Sequence, residues 1–267
     1  MDEVFELTRG DSPLLVSIPH SGTTLPASVE EQLTDEALLL ADTDWFIPEI
    51  YDFIFRLDIS VVKAKYSRLL IDLNRPPDNT SLYEGKVTTG LCPLKLFDGE
   101  PVYRNVSYLT ENEISRRLES YWKPYHAALT EEITRLKAMH GYCIVYDAHS
   151  IRSAVPSLFK GKLPDLNLGT NNGLSCGSEL QRLVESLLNN NNSFSSVVNQ
   201  RFIGGYITRH YGSPLTHCHA VQMEIAQCAY MDEDGEPNYD SEKAKHLKYF
   251  LEELFNGLLD WPLISTE

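Results

Sequence analysis

The stretch "GYCIVYDAHSIR", Gly141–Arg152, decides how this chain is read. An apolar run from Tyr142 to Tyr146 stops at Asp147, Ala148, His149 and Ser150. A short run without polar alternation suits a strand covered on both faces. The polar residues after it begin an ordinary loop, or the strand delivers His149 to a reaction centre at a sheet's rim.

Similar strand-like runs are Leu14–Ile18, Ile59–Lys65, Leu69–Leu73, Val197–Phe202 and Ala220–Ile225. Helical patterns lie between them, at Glu30–Leu40, Trp45–Arg56, Glu111–Met139, Glu179–Leu188 and Glu242–Leu258. Pro124 is expected to break or kink the long third pattern, because it lacks an N–H and clashes with the preceding turn. The alternation predicts an α/β fold, a mixed sheet flanked by helices. We read residues 1–267 as a single domain. The segment Pro76–Asn105, rich in turn residues, is too long for an ordinary connection and is expected to be an excursion over the site. "NNNNSFSS", Asn189–Ser196, reads as a surface loop.

Composition narrows the function. Hydrophobic residues make up 42% of the 267 and aromatics 10%, enough for a packed core. No apolar run reaches the roughly 20 residues that span a bilayer. The acidic start, "MDEVFELTRGD", lacks the order of a secretory signal. The five cysteines include no Cys-x-x-Cys pair and read as reduced thiols of a soluble cytoplasmic protein. A net charge of −15 disfavours nucleic acid and anionic membranes as partners. It leaves room for a small anionic substrate held by local arginines.

In open α/β sheets ligands bind beyond the carboxyl ends of strands. Leu14–Ile18 is followed by Pro19, His20, Ser21 and Gly22; Leu69–Leu73 by Asn74 and Arg75; Tyr142–Tyr146 by Asp147 and His149. Glu224 lies inside the apolar run "AVQMEIA", where a charge is costly unless paired or bound to a metal. A single loop histidine is ordinarily just hydrogen-bonded, and Glu224 could be a plain ion-pair partner. Two histidines at strand ends with a strand-borne carboxylate instead suit a metal with a separate proton acceptor. Asp42 and Asp44, in "ADTDWF", are candidates for an acidic ligand, although either could simply cap the next helix. His217 and His219, in "THCHA", form a rival pair, since alternate strand residues point the same way. His210 is a further candidate. Arg68, Arg75, Arg152 and Arg209 lie near these motifs and suit carboxylate recognition. Gly204 and Gly205 suggest a close backbone approach. No Gly-x-Ser-x-Gly elbow, phosphate loop or dinucleotide fingerprint occurs, and Cys143 reads as core packing.

Taken together, "SIPHSG", "DTDW", "YSRLLIDLNRPPDN", "YDAHSIRSAVPSLFKGKLPDLNLGT", "GGYITRHYG" and "HAVQMEIAQCAYM" resemble the N-formylglutamate amidohydrolases, over about Leu14 to Met231. The resemblance implies metal-dependent release of formate and L-glutamate from N-formyl-L-glutamate, a step of histidine degradation. More distantly the layout is similar to the zinc carboxypeptidase and aspartoacylase group, which implies a three-layer, phosphorylase/hydrolase-like architecture. His20, Asn74, Arg75, His149 and Glu224 match that group's motif, while Thr23 stands where its glutamate ligand is found. The implied assignment has His20, Asp44 and His149 holding one divalent ion, Zn²⁺ first, with Asp42 as the alternative acid. Glu224 is the catalytic acid/base, and Asp147 orients His149. Asn74, Arg75, Arg209, Arg68 and Arg152 contact substrate. The alternatives are a deacylase of another N-acyl amino acid and a catalytically silent amino-acid-binding relative.

Overall fold

In a computed structural model, which describes residues 3–82 and 88–264, the strands are β1 (Phe5–Thr8), β2 (Leu14–Ile18), β3 (Ser60–Ala64), β4 (Cys143–Ile151), β5 (Leu166–Gly169), β6 (Ser196–Val198) and β7 (Cys218–Ala226). They form one sheet in the order β1-β3-β2-β4-β7-β5-β6. The centre, β3-β2-β4-β7, is parallel; β1 runs antiparallel to β3, and β5 antiparallel to β7. The sheet is therefore mixed. The helices are α1 (Ala27–Glu30), α2 (Asp35–Leu38), α3 (Ile47–Ile50), α4 (Glu111–Arg117), α5 (Lys123–His140), α6 (Ser178–Asn190), α7 (Tyr206–Tyr211) and α8 (Ser241–Ile264). None among the described residues is long and apolar enough to cross a membrane.

The strands' two-residue period divides the core into two layers. Leu14, Val16, Ile144, Tyr146, Val221 and Met223 pack with α3, α6 and α8. Leu15, Val62, Cys143, Val145, Cys218 and Ala220 pack with α5 and the Leu69–Leu73 segment. Both faces are covered, which explains the unbroken apolar runs. All five cysteines are free thiols.

Several expected elements differ. Leu69–Leu73 is a buried turn, not a strand. Its charged centre decides this: Asp72 accepts from the Asn74 N–H at 2.9 Å and from Arg68 Nη2 at 2.7 Å, which closes the chain on itself. The run Val197–Phe202 keeps only β6. Glu30–Leu40 and Trp45–Arg56 fold as short turns, α1, α2, α3 and a 3₁₀ segment Asp52–Leu57, rather than as two helices. Left-handed Leu40 closes the first pattern, and left-handed Phe46 delays the second to Ile47. The pattern Glu111–Met139 is helical throughout, as α4 and α5 joined by a π-helical turn, Leu118–Trp122, which Pro124 follows. Proline cannot donate to the carbonyl four residues back, and the wider turn absorbs that loss.

Arg117, completely buried, joins α4 to the Asp72 turn. Its Nη1 donates to the Leu70 carbonyl and the Tyr103 hydroxyl, both at 2.7 Å, and its Nε to Glu113 at 2.7 Å. Arg117→Met removes these charge-assisted donors while leaving their acceptors buried. It is expected to cost about 2–4 kcal/mol, measured as a lower urea midpoint at unchanged m-value.

Candidate active site

The register of the central strands builds the site. Asp147 and His149 share a face of β4, and Gln222 and Glu224 share the same face of β7. Asp147 pairs with Gln222 and His149 with Glu224. The two acid–histidine positions lie within β4 rather than after it, because the ladder with β7 continues to Ile151 and Ala226. Neighbouring β2 ends at Ile18, so the rim there is open and His20 fills it.

Three groups converge: one ligand atom each from His20, Asp44 and His149 lies within 4.8 Å of the others, and all three residues are buried. Asp44 Oδ2 is 3.0 Å from His149 Nδ1 and 3.8 Å from His20 Nδ1. The opposite ring nitrogens are braced by carboxylates. His20 Nε2 meets Asp72 Oδ1 at 2.7 Å, and His149 Nε2 lies 3.0 Å from Asp147 Oδ1. Asn74 Nδ2 contacts His149 Nε2 at 2.8 Å and donates to Asp147 Oδ2 at 2.9 Å, while its Oδ1 accepts from the Ile207 N–H.

Electrostatics follow from this crowding. Burial and then Arg68 lower the His20 pKa, so a neutral ring donates Nε2–H to Asp72 and turns the Nδ1 lone pair toward Asp44. Burial opposes ionisation of Asp72, but His20, Arg75 and Arg68 hold its carboxyl well below the usual range. Burial would also lower His149, yet Asp147 and Asp44 outweigh it and raise the pKa well above the ordinary value. The site thus attracts positive charge at the point where the three groups meet, and a divalent cation would take the place of the His149 proton. Asp44 Oδ1 is buried without a hydrogen bond, 3.9 Å from Arg68. An N, N, O donor set with carboxylates behind both rings fits a catalytic metal such as zinc. Glu224 adjoins the group, and Gln222 Nε2 donates to it at 3.1 Å. Burial foremost pushes its pKa up to about 7.

The cavity over this group is lined by His20, Arg68, Asn74, Arg75, His149, Glu224, Gln222 and Arg201. Thr88, Thr89 and Phe97 of the long excursion line it too, while residues 83–87 of that segment lie outside the described residues.

The other expected residues sit elsewhere. Asp42 is not in the cluster; it accepts from the Phe97 N–H at 2.9 Å and so anchors the excursion. Burial raises its pKa to about 6. His219 accepts from the Gly177 N–H, and His217 precedes β7, at the end of that strand away from Glu224. His210 stacks on Tyr206. Arg152 is exposed and does not line the cavity. Arg209 does not line it either; it donates to the carbonyls of Gly204 and Leu82. Sequence reasoning missed Asp72, although an acid inside "RLLIDLN" is the same signal that marked Glu224. It also missed Gln222, and Arg201, which was absorbed into an expected strand.

The chain also resembles known proteins. A family model described as N-formylglutamate amidohydrolase matches residues 12–231. Proteins named N-formylglutamate deformylase from Pseudomonas aeruginosa and Pseudomonas putida are 49% and 48% identical over 261 residues. That alignment covers 98% of this chain in both cases, and 98% and 97% of the relatives. A crystal structure of N-formylglutamate amidohydrolase from Ralstonia eutropha superposes with a TM-score of 0.82 at 25% identity, covering 96% of this chain and 97% of that one. With the family model spanning most of its length and near-full-length relatives at almost half identity, this chain belongs to the N-formylglutamate amidohydrolase family.

Proposed function

We propose that this chain hydrolyses N-formyl-L-glutamate to L-glutamate and formate, as a single-domain, metal-dependent amidohydrolase of the cytoplasm. The observation that carries the reading is the buried group of His20, Asp44 and His149 with Glu224 in register beside His149, in a chain whose relatives are named N-formylglutamate deformylases. His20, Asp44 and His149 would hold the ion, with Zn²⁺ the first choice for two imidazoles and a carboxylate. When bound there, it would lower the pKa of a water and polarise the formyl oxygen.

The chain's own residues do the rest. Asp72 and Asp147 hold the two rings in place, and Asn74 braces His149 where it also lines the cavity. Glu224 takes a proton from the attacking water as its oxygen bonds to the formyl carbon. Glu224 then returns the proton to the glutamate nitrogen as the C–N bond breaks, which frees formate and the amine. Arg68, held by Asp72 with its guanidinium 4.8 Å from the Phe97 ring centre, offers positive charge to the developing oxyanion. Arg75 receives the α-carboxylate. Its Nε and Nη2 are fixed on Thr89, and it adjoins Asn74 at the metal group.

Formate release from N-formyl-L-glutamate should stop on chelation and return with Zn²⁺ or another divalent ion; release that survives complete metal removal would overturn the reading. Glu224→Gln should lower kcat by about 10²–10⁴-fold with metal content unchanged. The same variant tests the site's electrostatics in chelated protein. A carboxyl whose folded pKa of about 7 exceeds the usual 4.5 weakens the fold as pH rises through that window. Glu224→Gln should therefore be more stable than the parent at pH 8, by about 1–3 kcal/mol, and nearly equal at pH 4. Asp72→Asn should weaken metal affinity about 10–100-fold in a competition titration.

A further inference from the structure

We propose that Arg201 receives the second, side-chain carboxylate of the substrate and so selects acidic N-formyl amino acids over neutral ones. The inference rests on the deformylase reading and extends it to a residue outside every motif discussed above.

Three arginines line the reaction cavity: Arg68, Arg75 and Arg201. Arg68 is committed to the buried acids Asp72 and Asp44. Arg75 adjoins Asn74, whose amide touches His149, so it belongs to the end of the cavity where the amide is cleaved. The α-carboxylate is attached to the carbon bearing the scissile nitrogen and must bind there. A glutamyl side chain puts its second carboxylate two methylenes beyond that carbon, and a cation on another wall has to meet it.

Arg201 lines the cavity from a stretch of chain separate from the one that carries Arg68 and Arg75. Its Nε donates to the Leu158 carbonyl at 3.0 Å, and its guanidinium carbon lies 5.1 Å from the Phe202 ring centre. A carbonyl and a ring face together fix a guanidinium plane, which suits a planar carboxylate better than a mobile ammonium would. Leu158, Phe202 and Ile151 line the same cavity and offer apolar surface to the intervening methylenes. Arg201 lies just before Gly204 and Gly205, and the Gly205 N–H donates to Gln222, which in turn donates to Glu224. The segment that carries the receptor is thus tied to the catalytic carboxylate.

The test compares kcat/KM for N-formyl-L-glutamate and N-formyl-L-glutamine in the metal-loaded parent, Arg201→Met and Arg201→Lys. Arg201→Met is expected to reduce the glutamate-over-glutamine preference about 10²-fold, mainly through KM, and Arg201→Lys to recover part of it. Equal losses for both substrates, or no loss, would overturn the proposal. If the parent releases no formate, the deformylase reading fails by itself. Arg201 is then judged by calorimetry of glutarate against butyrate: a preference for the dianion that disappears in Arg201→Met supports it, and one that persists overturns it.

Discussion

Four carboxylates buried in one place set the terms for everything around them. Asp44, Asp72, Asp147 and Glu224 lie together at the rim of the sheet, each less than a tenth exposed. Little of their surface reaches water, and isolated buried charge is costly. Each must find a cation, a proton or a hydrogen-bond donor. Arg68 and His20 serve Asp72, Asn74 serves Asp147, and Gln222 serves Glu224. Asp44 has one oxygen without a hydrogen bond and turns the other to two imidazoles. That convergence makes the point between His20, Asp44 and His149 a place for a cation.

The scaffold explains how so much charge survives in a stable protein. Parallel strands β4 and β7 stay paired across nine residues, so the backbone beneath the acids is held in a ladder up to Ile151 and Ala226. Packing on both sides of the sheet holds the strands while their rim ends carry polar side chains. From below, Trp122 donates to the Arg75 carbonyl and His126 contacts the Leu73 carbonyl, fixing the turn that bears Asp72, Asn74 and Arg75. Trp122 is the last residue of the π-helical turn before Pro124.

The candidate site was legible where chemistry conflicts with its sequence surroundings. An acid and a histidine closing an apolar run, and a glutamate inside another, are improbable as packing and therefore informative. Asp72 carries the same signal, but the apolar run around it reads as a strand and hides it. The choice between Asp44 and Asp42 could not be read, since two residues apart in a tight turn they suit a cap or a ligand equally. Only the fold sends Asp44 to the histidines and Asp42 to the Phe97 amide.

The sequence by itself determined the α/β class, the covered central strands and the grouping of His20, His149 and Glu224 as candidates for one chemistry, because hydrophobic period and misplaced charge are local properties. The tertiary structure alone decided which arginines face the cavity. Arg209 and Arg152, within the motifs, stay out of it, while Arg201, in a run that reads only as a strand, lines it. The reason is physical: an arginine's reach is set by the loop that carries it and by the contacts made along the chain's return to the sheet, and those involve residues far apart in sequence.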